Sequence, residues 1–327
     1  CLASLGDTVS LESSEIIVVD NGSTDNSISM CREKFPHAAI IQSENNRGYA
    51  GGCNFGAQFA KGEFLIFLNN DTTHKNKWTD FLLKKIQSDN KIASVQPKIL
   101  NYFESDKFDY AGACGGHIDI FGYPFSRGRI FDTIENDNGQ YENSEQIFWA
   151  SGTAFITRKS LFQKIGGFDE TLFAHMEEID YHWKCHLMGY DVWVEPQSLI
   201  QHQGGATLSY GSPEKTYLNH RNSFLLVLTN YSFLVSVYLF LPRLFMEFLS
   251  LIKYTFSFKF SHSWAQLRAF SWILLHPHII AKRRWETWKL RKIKDGELIK
   301  KMHTYPIVWQ YFFKQLKTYS QVRESKF

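Results

Sequence analysis

Apolar residues fall along this chain in short unbroken runs, set apart by polar, glycine-marked turns, with stretches of helical spacing between them. Phe64-Leu65-Ile66-Phe67-Leu68 is five apolar residues in a row, too short for a helix and rich in Phe and Ile, which predicts a buried strand. Residues 15–20, 39–42, 92–97 and 190–196 read as further strands, the last with an in–out alternation. Helices are expected over 28–35, over the stretch ending near Lys61, and over 78–88, where Phe81, Leu82 and Ile86 share a face. Another spans 158–165 and stops at Gly166-Gly167. Strands alternating with helices give right-handed crossovers and a parallel sheet. Residues 101–145 are polar and dotted with glycine, an excursion with short strands. Residues 146–156 return to the sheet, with small residues midway, Gly152 among them, where something bulky has room to approach.

The pattern changes after Arg221. Residues 224–241 are 18 positions without a charge, the lower limit for crossing a bilayer. Arg243, Glu247 and Lys253 follow at once and argue instead for helices lying in a membrane interface; core helices of a second subdomain are the alternative. The boundary is placed between 1–222 and 223–327. Charge sharpens this division. The net charge of the 327 residues is only +3, yet residues 259–327 hold 15 Lys and Arg against 4 Asp and Glu, leaving 21 against 29 in the remainder. An acidic body with a basic, aromatic tail predicts that the tail meets something anionic. Residues 282–292 mix cations with Trp285 and Trp288, which suits lipid head groups, and no nucleic-acid motif accompanies them. Five scattered cysteines without a CxxC pair signal neither a disulfide framework nor a zinc site, and point to a reducing compartment. No signal peptide opens the chain, and a start at Cys1 reads as a fragment.

Candidate chemistry gathers at the ends of these elements. Asn69-Asn70-Asp71 follows a strand directly, and ligands of open α/β sheets sit outside the carboxyl ends of strands. A carboxylate flanked by amides suits a hard divalent cation carrying a phosphate-bearing substrate, whereas a simple turn would use the same residues. Asp20 closes the 15–20 strand and Asn21-Gly22-Ser23 opens the next turn. Between Asn45 and Ala57, four glycines in nine residues allow close backbone approach to a ligand, and Arg47 can fork onto phosphate. Glu177, Glu178 and Asp180 open a helix that runs to Met188; acidic residues there complement the helix dipole, but three exceed what capping needs. His202 stands alone before Gly204-Gly205, where a structural role competes with ligation.

Taken together, the stretches Val18–Asp25, Asn46–Asn54, Leu68–Asp71, Gly166–Glu170 and Glu177–Asp180, with His202 downstream, resemble the inverting family 2 glycosyltransferases of the GT-A fold, especially the rhamnosyltransferase-like enzymes of cell-surface polysaccharide assembly. The resemblance covers residues 1 to about 230. It implies an α/β, Rossmann-like, mixed and mostly parallel sheet flanked by helices, with a helical, membrane-associating C-terminal region. It implies transfer from a nucleoside-diphosphate sugar to a saccharide or polyprenyl-linked acceptor, with Mg2+ or Mn2+, in the cytoplasm at the inner face of the membrane. By the same resemblance, Asp20 contacts the nucleotide base, with Asn21 and Ser23 beside it. Arg47, Gly48 and Asn54 line the nucleotide and diphosphate, and Asn69, Asn70 and Gly152 complete the donor site. Asp71 carries the metal, in a DxD motif whose first Asp is Asn, and His202 completes that site. Glu178 is the catalytic base, following the acidic Glu177, and its pKa should be raised by its neighbour. Two departures stand out: the family's first strand is missing before Cys1, and Lys184 stands where Arg is common. Two other functions fit the residues: a metallohydrolase with His175, Glu178 and His182 on one helix face, and a non-catalytic sugar-nucleotide-binding protein.

Overall fold

The computed structural model describes residues 1–204 and 211–325, so Gly205 of the glycine pair lies outside it. The first part of the chain runs α1 (Leu2–Thr8), β1 (Ile17–Asp20), α2 (Ser27–Lys34), β2 (Ala39–Gln42), α3 (Gly48–Phe59), β3 (Phe64–Leu68), β4 (Thr72–His74), α4 (Trp78–Gln87) and β5 (Ile92–Asn101). Short strands β6 (Gly116–Ile118), β7 (Pro124–Ser126), β8 (Arg129–Ile130) and β9 (Thr133–Ile134) form a separate four-stranded sheet within the expected excursion. Then come β10 (Glu145–Ile147), β11 (Ala154–Arg158), α5 (Lys159–Ile165), α6 (Glu177–Leu187) and β12 (Asp191–His202). The rest is helical: α7 (Pro213–Asn230), α8 (Phe233–Phe256), α9 (Phe260–Leu275), α10 (Pro277–Leu290), α11 (Asp295–Ile299), α12 (Ile307–Phe312) and α13 (Tyr319–Glu324).

The main sheet has the order β10-β12-β5-β11-β3, with β4 paired to the far end of β12. It is mixed and flanked by helices, but its parallel share is smaller than the strand–helix alternation implies. β12 pairs with β5 in parallel, whereas β11 lies antiparallel between β5 and β3. β1 and β2 are parallel to each other and form their own two-stranded sheet. β3 therefore ends the main sheet, and Ile66, expected to be buried, is 37% exposed.

Three other expectations change. The glycine-rich stretch is not a loop but the first two turns of α3: Gly52 lies against the Asn21 side chain, and a Cβ on Gly56 would come within 2.7 Å of Val19 Cγ2. Gly52 and Gly56 let a helix lie close on β1. The return over 146–156 is two strands, β10 and β11, broken by a turn at 148–153. Conversely, β12 runs unbroken through Pro196, because a register shift between Glu195 and Leu199 absorbs the proline.

Alternation along β11 shows how the layers are built. Ala154 and Ile156 pack with Trp78, Leu82 and Ile86 of α4 on one face. Phe155 faces the other way, into a cluster with Phe67, Phe162, Phe168 and Tyr181 under α5 and α6. Phe67 sits 4.9 Å from Phe162 and 5.0 Å from Phe168, ring centre to ring centre. Each such ring contributes about 1.5–3 kcal/mol by burial alone. The expected boundary at 222/223 falls inside α7, so the C-terminal helices continue the body without a linker. α10 reaches the sheet domain through Arg283, which pairs with Asp169 at 2.5 Å and Asp180 at 3.0 Å. The tail from α12 onward folds back on the small sheet, with Ile307 N donating to Asp119 and Tyr319 N to Glu135, both at 2.9 Å.

Candidate functional site

Strand pairing brings Asp71 and His202 together. β4 runs antiparallel to the end of β12, with Thr72 opposite His202, so the residue just before β4 meets the imidazole. Asp71 Oδ1 and His202 Nε2 are 3.1 Å apart. Both atoms are buried and neither has a partner other than the opposite atom of this pair. Adjacent ligands of an octahedral cation with bonds of about 2.0–2.1 Å lie about 2.9 Å apart, so this pair fits two corners of a Mg2+- or Mn2+-like site. Among the described residues no group of three or more His, Cys, Asp or Glu could hold a cation by itself, so the other corners would fall to phosphate oxygens and water. Burial works to raise the Asp71 pKa, but His202 and the backbone N–H groups of Asp71 and Gly204 outweigh it and hold the carboxyl below its ordinary value. The Asn69 backbone is pinned, its N–H donating to Thr153 O at 2.9 Å and its carbonyl accepting from Thr72 Oγ1 at 2.8 Å. Asn70 is exposed beside it.

The carboxylates of α6 adjoin the same end of the sheet through the 151–153 turn. Glu178 is only partly exposed, and its carboxylate receives the backbone N–H of Gly152 and Ile179. Burial pushes its pKa up to about 7 against those bonds. Glu177 is 5% exposed; burial and the Glu178 charge push it well above the carboxylate range. Glu178 thus keeps some exposure where Glu177 is enclosed, and each has a buried Oε2 without a hydrogen-bond partner. Asp180 is enclosed too, but held ionised against burial by Lys184 at 2.6 Å and by Arg283. Lys184 therefore supplies the charge that an arginine would.

Thr153 joins the two centres, bonding Asn69 through its carbonyl while Gly152 beside it touches Glu178. Tyr49 fills the space left by the missing Cβ of Gly152: its hydroxyl donates to Gly152 O at 2.5 Å. Sequence reasoning missed Tyr49, as nothing marks one tyrosine among 15.

The donor-lining residues expected around β1 divide. Asp20 ends β1, accepts from Ser23 N at 2.9 Å and Gln42 Nε2 at 3.2 Å, and is held below its ordinary pKa chiefly by Ser23. Asn21 bridges to the next segment, donating to Gly48 O and accepting from Arg47 N, both at 2.9 Å. Gly48 has φ +68, and a Cβ there would lie 2.4 Å from Phe173 O. Arg47 forks onto Glu170 at 3.2 and 3.3 Å, so its guanidinium faces a carboxylate in this state. Asn54 donates to Phe168 O at 2.8 Å and to Glu170 Oε1 at 3.1 Å, and accepts from Phe168 N at 2.8 Å. It clamps the Gly167-Phe168 turn and ties it to the Glu170 carboxylate that Arg47 also meets.

The segment leading into α6 is strained, with φ of +63, +66 and +76 at Phe173, His175 and Met176. α7 holds it in place: Asn222 Nδ2 reaches the carbonyls of Leu172, Ala174 and His175, and Arg221 those of Thr171 and Leu172. This geometry overturns the helix-face metal site. His175 precedes α6 and does not share its face, and His182 is wholly buried, its Nδ1 accepting from Ala150 N at 3.3 Å. Burial lowers the His182 pKa to about 3, the mark of a core imidazole.

Comparison with known proteins bears on this arrangement. Residues 1–166 match the family described as glycosyl transferase family 2. The chain is 26% identical over 207 residues to the O-antigen biosynthesis protein RfbC of Myxococcus xanthus, covering 62% of this chain and 16% of that protein. It is 26% identical over 219 residues to the low-salt glycan biosynthesis hexosyltransferase Agl10 of Haloferax volcanii, covering 64% and 66%. It is 23% identical over 238 residues to the N-acetylglucosaminyl-diphospho-decaprenol L-rhamnosyltransferase of Mycobacterium tuberculosis, covering 66% and 75%. The match thus spans a sixth of the first of these relatives and just under two thirds of the second. Among solved structures, GalNAc-T7 with UDP, GalNAc and Mn2+ superposes with a TM-score of 0.53 at 17% identity, covering 68% of this chain and 43% of that one. S. aureus TarS 1-349 in complex with UDP-GlcNAc gives 0.50 at 18%, covering 75% and 68%. These likenesses share the GT-A fold.

Proposed function

The chain belongs to glycosyl transferase family 2, and on that premise we propose that it transfers a hexosyl residue, with inversion, from a nucleoside-diphosphate sugar to a hydroxyl of a saccharide or lipid-linked acceptor in glycan assembly. One observation carries the reading. The Asp71–His202 pair and Glu178, from a distant helix, both adjoin the 151–153 turn. Ligands of α/β sheets bind at the ends of strands.

Asp71 and His202 would hold Mg2+ or Mn2+. When bound there, the cation supplies Lewis-acid stabilisation of the charge on the departing diphosphate. Asp20, with Asn21 and Ser23 at the end of β1, receives the nucleoside. Glu178 accepts the acceptor hydroxyl proton as that oxygen bonds to the anomeric carbon, and the carbon–oxygen bond to the diphosphate breaks on the opposite face. Burial lifts the Glu178 pKa to about 7 and so makes it a competent base near neutral pH, with Glu177 enclosed behind it. Arg47 would reach a phosphate only by exchanging it for Glu170, which makes this pair a gate for donor entry.

The rhamnosyltransferase named above acts on a decaprenol-linked sugar, and a membrane-borne acceptor suits the C-terminal helices of this chain. α8 is long and apolar enough to cross a bilayer, yet its Arg243 and Glu247 are buried against α7 and α9. Leu234, Tyr238, Leu241, Phe245 and Phe248 form its exposed side, which favours a helix lying in the interface of the inner membrane face.

The test is direct. Purified protein is incubated with UDP-, GDP- and dTDP-sugars and Mn2+ or Mg2+, and nucleotide release is followed with and without a polyprenyl-diphosphate saccharide. Metal-dependent release with one donor, stimulated by acceptor, is expected. Metal-dependent nucleotide binding without turnover in the presence of acceptor would favour a binding protein instead.

A further inference from the structure

We propose that Asp109 is a positioning residue, one that fixes the tautomer and aim of His202 toward the cation site; the inference rests on the reading that Asp71 and His202 hold a divalent cation. Asp109 lies in the polar excursion after β5, a stretch whose sequence marks no functional residue, and is 2% exposed. Its own position is set by the backbone. Asp109 N donates to Ile99 O at 3.0 Å, and its Oδ1 accepts from Ala111 N at 2.7 Å. The same Oδ1 stands 2.9 Å from His202 Nδ1.

A carboxylate only accepts, so Nδ1 must carry the hydrogen and a neutral imidazole must keep its lone pair on Nε2. Nε2 is the atom that faces Asp71 Oδ1 at 3.1 Å with no other partner. The ring is held from the backbone as well, since His202 O accepts from Tyr102 N at 2.9 Å and Thr72 lies opposite it in the sheet. Asp109, His202 and Asp71 thus stand in a line: one carboxylate orients the imidazole and the other shares the cation with it. Metal-bound histidines depend on such an outer carboxylate for ring orientation and basicity. The Ala111 carbonyl, beside this turn, also accepts from Ser151 Oγ at 2.5 Å, which anchors the line to the turn that carries Gly152.

The competing role is structural, an Asp–His–Asp chain that ties three segments together and binds nothing. Mn2+ affinity separates the two. Free Mn2+ is followed by electron paramagnetic resonance during titration of the whole chain with Mn2+ in the presence of UDP. Asp109→Asn and Asp109→Ala are expected to weaken Mn2+ binding about 10–100-fold. His202→Ala should weaken it as well, and the double variant Asp109→Ala/His202→Ala should be no weaker than His202→Ala alone. Should either Asp109 variant bind Mn2+ within twofold of the wild type while Asp71→Ala abolishes binding, the positioning role falls and the cation reading stands. Unchanged binding in Asp71→Ala and His202→Ala, or no Mn2+ binding by the wild type, overturns both. A second readout needs no variant: nitrogen-15 histidine spectra of the wild type with Mg2+ and UDP should show His202 neutral with hydrogen on Nδ1. Hydrogen on Nε2 in that state would refute the proposal even if the Asp109 variants failed to fold.

Discussion

Glu177 and Glu178 are neighbours in sequence with different fates. Only Glu178 is partly exposed, and burial lifts its pKa to about 7. The base must be ionised, so transfer should rise with pH through about 7 and fall about tenfold per unit below it, as read from kcat/KM against pH. Glu178→Gln should lower kcat by about 10²–10⁴-fold with donor affinity nearly unchanged, since it removes proton transfer but not shape. Equal loss of nucleotide binding in calorimetry would remove Glu178 from that role. Asp71→Ala should instead abolish metal-dependent donor binding, and residual binding that ignores added Mn2+ would count against the Asp71 site.

At the scale of elements, the glycines of α3 have a stability consequence separate from ligand binding. Gly48→Ala forces a Cβ against Phe173 O at a φ of +68, which should cost about 1–3 kcal/mol in urea denaturation. An unchanged midpoint would mean that the strained 173–176 segment yields easily. α8 poses the reverse problem, because it buries an ion pair. Arg243 and Glu247 are 2.7 Å apart with no exposure, the guanidinium 3.8 Å over the Tyr123 ring and the carboxylate served by His220 and Gln266. Breaking such a pair from one side costs about 3–5 kcal/mol, so Arg243→Met should be severe. Arg243→Met/Glu247→Leu should lose less than the sum of the single changes, and strict additivity would show that the two side chains act independently.

For the molecule as a whole, the helices after α7 are part of the body and also carry the surface proposed to meet a membrane. Inward-turned cations bind the body: Arg283 spans Asp169 and Asp180, and Arg284 donates to Leu228 O. Trp285 and Trp288 remain outside, their rings stacked 5.1 Å apart, with Lys282 and Lys289 exposed beside them. Less of the basic run at 282–292 is thus free for head groups than its composition promises. Co-sedimentation with vesicles containing anionic lipid should retain the wild type and lose Leu241→Asp/Phe245→Asp, while turnover on a soluble acceptor persists. Retention of that variant would move the contact elsewhere on the surface.

Local pattern made much of this legible. Strands β1, β2, β3 and β5, helices α4 and α5, the start of α6 and the position of Asp71 and Glu178 at element ends could all be read because apolar period, turn residues and strand-end carboxylates are properties of neighbours in sequence. What lay beyond reading was pairing at a distance. That β11 inserts antiparallel beside β3, that β4 sets His202 against Asp71, and that Asn54 spends its amide on Phe168 depend on contacts across 80 to 130 residues. So does the turning inward of Arg243, Glu247 and Arg283. A side chain's polarity says that it needs a partner, and only the packed structure decides whether that partner is another residue, a ligand or water.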